Sequence, residues 1–289
     1  MRGALVGNGH RRAYKAVVLD VDGTLVTGAG AVSERNRTAL AAVQQLGVRV
    51  VLATGRHPRA IRRLCHHLGL KGFHICVNGA LVVDPLSGEV ALARCLNVPE
   101  VDEVLTFFRK HSFGGALYRS DVILTDREDL LASFAAFEER QVFYVPEISS
   151  PDPGVLKIIG FPPPEVPFRE AFQLVRDAFG TRFSVTSGDS ACVEVAHCEA
   201  TKGTALLRWC RTHGIAPSEV IAVGDSYNDL ELLQVAGTGV AVANAVPELR
   251  KAARLVVGSC EEDGVAEALR LLFGWPGTGC LGGEGVVER

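Results

Sequence analysis

Two aspartates stand two residues apart at the end of an apolar run, in Val18-Leu19-Asp20-Val21-Asp22-Gly23-Thr24-Leu25. In extended chain Asp20 and Asp22 project to one side, and Gly23 permits the sharp turn that must follow. A carboxylate so placed can attack phosphorus and form an acyl phosphate, dividing one hard step into two easier ones. A second carboxylate can protonate the leaving oxygen and then take a proton from water. The same residues could instead form a turn in which Asp side chains accept from backbone amides. D-x-D-G alone does not separate the two readings.

Three further segments carry polar groups of matching chemistry. Leu52-Ala53-Thr54-Gly55-Arg56 sets a hydroxyl and adjacent amides near a helix start, a receptor for phosphate oxygens or simply a helix cap. Lys202, in Ala200-Thr201-Lys202-Gly203, sits where a helix begins, a place unfavourable for a cation unless it serves a ligand. Gly224-Asp225-Ser226-Tyr227-Asn228-Asp229 supplies hard oxygen donors suited to Mg²⁺, or an Asp-rich helix cap.

The elements that must hold these segments read as an α/β fold with a parallel sheet, since short apolar runs alternate with segments of helical period. Ala16 to Leu19 reads as a strand buried on both faces. Ser33 caps a helix through Leu46, with Gly47 as its stop. Val48 to Ala53, a helix from Pro58 to Leu68, and a third strand at Ile75 to Val77 follow. The alternation resumes with a helix from Thr201 to Thr212, a strand at Val220 to Val223, a helix from Asn228 to Val235 and a strand at Val240 to Val242. A helix from Val246 to Ala253, a strand at Leu255 to Val257 and a helix from Glu262 to Phe273 complete it. From Asp84 to Asp189 the texture changes. Helices at Pro99 to Lys110, Glu128 to Glu139 and Pro167 to Phe179 are separated by β-rich pieces such as Val122 to Thr125 and Leu156 to Phe161. This predicts an α+β domain inserted into the core, with residues 1–83 and 190–289 forming the core and 84–189 the insert. The Gly-rich tail from Gly274 reads as mobile.

Composition sets limits. The 30 Lys and Arg nearly balance 33 Asp and Glu, so a net charge of -3 gives no electrostatic reason for a nucleic-acid partner. No run approaches a membrane span. Met1 to Tyr14 carries Arg2, Arg11 and Arg12 with no apolar stretch behind them, which argues against a secretory signal and for a cytoplasmic protein. The cysteines Cys65, Cys76, Cys95, Cys192, Cys198, Cys210, Cys260 and Cys280 form no C-x-x-C pair and read as reduced thiols, most of them buried. His66 and His67 are adjacent, cannot share one helix face and read as surface residues.

In order and spacing, DVDGTL, TGR, Asn78-Gly79-Ala80, TKG and GDSYND resemble the motifs of the haloacid dehalogenase superfamily, more closely its Cof-type phosphatases of class IIB. The resemblance covers the chain from Lys15 to Phe273. It implies a Rossmann-like core with an inserted α+β cap of the C2 type, and an Mg²⁺-dependent phosphatase of small metabolites. Asp20 is then the nucleophile and Asp22 the general acid/base. Thr54, Gly55, Lys202 and Asn228 hold phosphate. Asp20, the backbone carbonyl of Asp22, and Asp225 bind metal, with Arg56, Asn78 and Asp229 in support. Val21, and Leu232 or Leu233, stand where the family more often has other apolar residues. A phosphomutase would use the same aspartates; a non-catalytic relative would typically have lost some of these charges, all of which are present. A phosphorylation-switched signalling domain would lack the large insert. Sugar phosphates are the substrates the resemblance most implies, with nucleotides, flavin mononucleotide and pyridoxal phosphate also open. Tyr118, Arg119, Asp121, Lys157 and Asp189 are polar cap residues that could meet a leaving group or simply face solvent.

Overall fold

The structure is a computed structural model that describes residues 14–120, 122–132, 141–149, 153–187 and 192–275. In its large sheet the strand β1 (Ala16–Leu19), every residue of which is buried, lies next to one edge. On one side lies β2 (Arg49–Leu52); on the other lie β12 (Val220–Gly224), β13 (Thr238–Val242) and β14 (Leu255–Val257). All pairings in this five-stranded sheet are parallel. Helices cover both faces, which explains why the strands read as continuous apolar runs rather than alternating ones. α1 (Glu34–Gln45) is capped by Ser33, whose hydroxyl accepts from the Asn36 amide. α2 (Pro58–His67) begins at a proline and is capped by His57. The chain leaves β1 for β2 on one side and returns as β12 on the other, so a crevice forms beyond the carboxyl ends of those strands.

The second sheet has six strands, in the order β10-β11-β9-β6-β7-β8. These are β6 (Gly114–Arg119), β7 (Val122–Thr125), β8 (Gln141–Tyr144), β9 (Val155–Phe161), β10 (Phe183–Thr186) and β11 (Val193–His197). The helices α3 (Val98–Lys110) and α4 (Phe168–Phe179) bury Val104, Phe108, Val175 and Phe179 against Leu117, Ile158, Val193 and Val195. Ala116, Tyr118, Ile123, Ile159 and Cys192 form a separate small cluster. Because Val193–His197 pairs with β9, the sheet runs past residue 189, where the sequence reading places the return to the core.

Most of the expected core elements appear within a residue or two. α5 (Lys202–His213), α6 (Leu230–Val235) and α7 (Pro247–Ala252) follow the expected segments, but the last helix is divided. A 3-10 turn at Cys260–Glu262 is separated from α8 (Gly264–Phe273) by Asp263, at φ 61°. Strands β4 (Leu81–Val83), β5 (Val90–Ala93), β6, β8, β10 and β11 go beyond those that the sequence reading names. A 3-10 turn at Glu128–Leu130 opens the helix expected through Glu139, whose remainder falls largely outside the described residues. Of the tail, only Gly274 and Trp275 are described. Cys65, Cys76, Cys192, Cys210 and Cys260 are buried as free thiols, and Cys95 and Cys198 are more open. Burial pushes the Cys65 thiol up to about 12. His66 and His67 are exposed. No helix among the described residues is long and apolar enough to cross a membrane.

The expected third strand, β3 (His74–Cys76), departs from the reading in a specific way. It pairs antiparallel with β4 in a three-stranded sheet with β5 and meets the large sheet only at the bridge Ala53↔Ile75. At the β2 edge the imidazole of His74 takes the place of a ladder: its Nδ1 accepts from the Leu52 amide at 3.0 Å. His74 is wholly buried, and its Nε2 has no partner among the described residues. Burial lowers its pKa to about 4 from 6.5, against a smaller opposing pull from Asp84. The unfolded chain therefore binds a proton between those values that the folded chain refuses. Stability is complete above about pH 6.5 and falls as the pH drops towards 4, by up to about 3 kcal/mol from this residue. Thermal melts from pH 7 to pH 4 read this directly. His74→Gln, which keeps an acceptor for Leu52 but does not titrate, is expected to flatten the acid limb.

Candidate active site

The carboxyl ends of β1 and β12 place Asp20 and Asp225 side by side, and α5 brings Lys202 to them. The ammonium of Lys202 is fully buried and donates to Asp20 Oδ1 at 2.6 Å and to Asp229 Oδ1 at 2.7 Å. Asp229 Oδ2 accepts from the amides of Asp225 and Ser226 at 3.0 and 3.1 Å. Both Asp229 oxygens are thus occupied in holding the loop and the lysine. Thr24 donates its hydroxyl to Asp225 Oδ1 at 3.1 Å. Oxygens of Asp20, Asp225 and Asp229 all lie within 4.8 Å of one another.

Three carboxylates share one cation, and the electrostatics register the surplus. Burial raises the Asp20 pKa well above the ordinary value; Lys202 pulls it down, and Asp229 and Asp225 push it up again. Burial and Asp229 likewise raise Asp225, against smaller pulls from Asp20, Lys202 and Thr24. Burial alone would lower Lys202, but Asp20 and Asp229 more than offset it and leave the pKa raised. A buried set of hard anionic oxygens with excess negative charge is the donor chemistry of a divalent metal. The buried Oδ1 of Asn228, without a partner among the described residues, adds one more oxygen nearby in the same loop. The residues present fit such an ion.

Asp22 takes a different partner. Its carboxylate is half-exposed and is gripped by the Arg56 guanidinium, Nε to Oδ2 at 2.8 Å and Nη2 to Oδ1 at 2.5 Å. Gly23, at φ 76°, turns the chain so tightly over Asp225 that a Cβ there would lie 2.6 Å from Asp225 Oδ2. The hydroxyl of Thr54 accepts from the Arg56 amide at 3.1 Å, and His57 rather than Thr54 caps α2. Asn78 donates its backbone N–H to Thr54 O at 3.0 Å, and its side-chain oxygen accepts from Asn228 Nδ2 at 3.0 Å. The residues expected at the site therefore form two linked sets at the crevice, Asp20, Lys202, Asp225 and Asp229 in one and Asp22, Arg56, Thr54, Asn78 and Asn228 in the other.

Against known proteins, the model of the haloacid dehalogenase-like hydrolases matches residues 17–269. The chain belongs to that family. YxeH of Bacillus subtilis (strain 168) is 30% identical to this hydrolase over 271 residues, covering 90% of this chain and 98% of that protein. The pyridoxal phosphate phosphatase YbhA of Escherichia coli (strain K12) is 27% identical over 265 residues, covering 88% and 96%. A haloacid dehalogenase-like hydrolase from Bacteroides thetaiotaomicron superposes with a TM-score of 0.75 at 27% identity, covering 90% of this chain and all of that one.

Sequence reasoning misses several residues that complete this hydrolase's site. Glu194 of β11 accepts from Asn78 Nδ2 at 2.5 Å and from Lys157 Nζ of β9 at 2.8 Å. A signal was available: Glu194 and Lys157 each interrupt an apolar run, where an unpaired charge would be costly. From the sequence Lys157 reads only as one possible substrate contact. Its ammonium also lies 4.6 Å from the Tyr118 ring centre and 3.4 Å from Gly55 O. Arg119 instead donates to Pro153 O; Asp121 and Asp189 lie outside the described residues. Asn244 is also missed; it donates to Gly23 O at 2.8 Å and so braces the turn after Asp22.

Gly79 shows how tightly these parts are docked. Val77, Asn78 and Gly79 have φ of 51°, 53° and 97°, a strained run held by its surroundings. A Cβ on Gly79 would lie 2.1 Å from Thr201 O, the residue that caps α5 and precedes Lys202. Gly79→Ala is expected to cost about 3 kcal/mol or more and to lower the melting temperature by roughly 6–12 °C. A melt by circular dichroism checks it.

Proposed function

We propose that this phosphoric monoester hydrolase removes phosphate from small phosphorylated metabolites, sugar phosphates first among them, through an aspartyl-phosphate on Asp20 and with Mg²⁺ as cofactor. The observation that carries the reading is the buried Lys202 ammonium clamped between Asp20 and Asp229, with Asp225 alongside. A nucleophilic carboxylate and a phosphate dianion repel each other, and their approach requires concentrated positive charge. Lys202 supplies part of it. Asp20, the backbone carbonyl of Asp22, and Asp225 would hold the metal, while Asp229, whose oxygens are already engaged, supports the loop. When bound, the ion neutralises charge on the phosphoryl oxygens.

In the first step an Asp20 oxygen bonds to phosphorus as the bond to the leaving oxygen breaks, and Asp22 gives its proton to that oxygen. In the second, water attacks the phosphorus, its proton passes to Asp22, and the bond to Asp20 breaks to release inorganic phosphate. The exposure of Asp22 at the mouth suits a group that must meet a departing alcohol. Thr54, Gly55 and Asn228 would receive phosphoryl oxygens. The same reading assigns residues 1–83 and 190–289 to the catalytic core and 84–189 to a cap over the crevice, with the boundary moved to after His197 because Val193–His197 pairs within the cap's sheet.

Hydrolysis of a panel of sugar phosphates, nucleotides, flavin mononucleotide, pyridoxal phosphate and p-nitrophenyl phosphate, with Mg²⁺ and with chelator, tests this. Phosphate release that chelator abolishes is expected, with a sugar phosphate as the best substrate. Transfer of phosphate between positions of a sugar without release would instead indicate a mutase. Asp20→Asn is expected to lower kcat by at least about 10³-fold while the chain still unfolds in one cooperative melt, with Asp229 and Asp225 left to balance Lys202. Asp22→Asn is expected to slow turnover by about 10²–10⁴-fold; wild-type turnover in that variant would remove Asp22 from acid/base duty.

A further inference from the structure

The site ends in a chain of side chains that leaves the core altogether. Lys157 Nζ donates to Glu194 Oε1, Asn78 Nδ2 donates to Glu194 Oε2, and Asn228 Nδ2 donates to Asn78 Oδ1. Lys157 and Glu194 belong to neighbouring strands of the second sheet, Asn78 to the turn after β3, and Asn228 to the loop carrying Asp225. The Lys157 and Glu194 side chains are 4% and 10% exposed, and Asn78 is equally buried. An asparagine amide has a donor end and an acceptor end of nearly the same shape, so its sense is set by its partners. An ionised carboxylate only accepts. Glu194 therefore obliges Asn78 to present its nitrogen. Asn78 then presents its oxygen to Asn228, which must in turn offer nitrogen. Reversing Asn228 would set two acceptors against each other.

We propose that Glu194, neutralised by Lys157, is a positioning residue for phosphoryl transfer: it fixes the amide sense of Asn78 and, through it, that of Asn228. Only one hydrogen of the Asn228 amide is used by Asn78, which leaves the other for a phosphoryl oxygen. The group that sets this orientation rides on the second sheet, so the phosphate receptor is complete only when that sheet is seated on the core. The inference rests on the phosphatase reading above for the role of Asn228, and its test has a readout that does not require turnover.

The test is an exchange of donor and acceptor. Glu194→Gln is isosteric and lets Asn78 take either sense; Asn78→Asp sets two carboxylates face to face. In the double variant the new amide at position 194 donates to the new carboxylate at position 78. The other oxygen of that carboxylate accepts from Asn228, and the order of the relay returns. Binding of inorganic phosphate with Mg²⁺ by calorimetry, kcat and KM for p-nitrophenyl phosphate, and thermal melts are measured for all three. Each single variant is expected to weaken phosphate binding and kcat/KM about tenfold, the effect of one well-placed hydrogen bond. Glu194→Gln also leaves the buried Lys157 ammonium without its carboxylate, so its melting temperature is expected to fall, whereas the double variant, which restores a carboxylate to the relay, should return phosphate binding to within about threefold of wild type. Wild-type phosphate affinity in Glu194→Gln overturns the proposal, as does a double variant no better than the weaker single. If the wild-type protein cleaves no ester, the phosphatase reading fails, while calorimetry still decides the relay.

Discussion

The ammonium of Lys202, sealed from solvent between the carboxylates of Asp20 and Asp229, is the contact on which the rest of the site depends. Taking one such charge out of water costs several kcal/mol unless partners surround it at good geometry. The fold supplies them from three elements distant in sequence: the end of β1, the loop after β12 and the first turn of α5. Their close approach has visible requirements. Position 79 must lack a side chain so that Thr201 can pass, and a Cβ at Gly224 would strike the Asp229 carboxylate at 2.5 Å. Gly203 is pressed against Glu231 in the same way. The packing that buries the lysine is what makes it useful.

Charge balance then links structure to chemistry. One lysine does not neutralise three carboxylates, and the raised pKa values of Asp20 and Asp225 express that deficit. The pocket is an arrangement in which further positive charge is favourable and a phosphate dianion can approach once it is present. Asp22, by contrast, is held at the mouth by Arg56 and does not share the buried cluster. Two aspartates separated by one residue thus acquire different surroundings, and different surroundings suit them to different tasks.

Much of this was legible in the chain because local rules and tertiary needs coincide there. Ala16–Leu19 is uniformly apolar because both faces are covered, and Asp20 follows because the strand ends where the crevice begins. Ser33 and Pro58 mark helix starts by their own chemistry. Thr54 could have been a helix cap; His57 took that role, which no spacing rule favours. Less could be read where a contact joins remote residues. Glu194 and Asn78 are 116 positions apart, and nothing local to either names the other. The same holds for β3, which pairs with β4 rather than joining the large sheet and whose His74 accepts a hydrogen bond from Leu52, 22 positions away. Strands of the second sheet such as Gly114–Arg119 and Phe183–Thr186 mix glycine, polar and apolar residues, and they take their form from ladder partners more than from their own pattern.

The central claim is that phosphate passes through a covalent bond to Asp20. The most direct measurement is to mix enzyme, Mg²⁺ and the best substrate, quench within a single turnover, reduce with borohydride and map the peptides by mass. An acyl phosphate is reduced to the alcohol, so the account predicts homoserine at position 20 and unmodified aspartate at 22, 225 and 229. Turnover that leaves Asp20 unmodified at every quench time, or homoserine at position 22 instead, would contradict it.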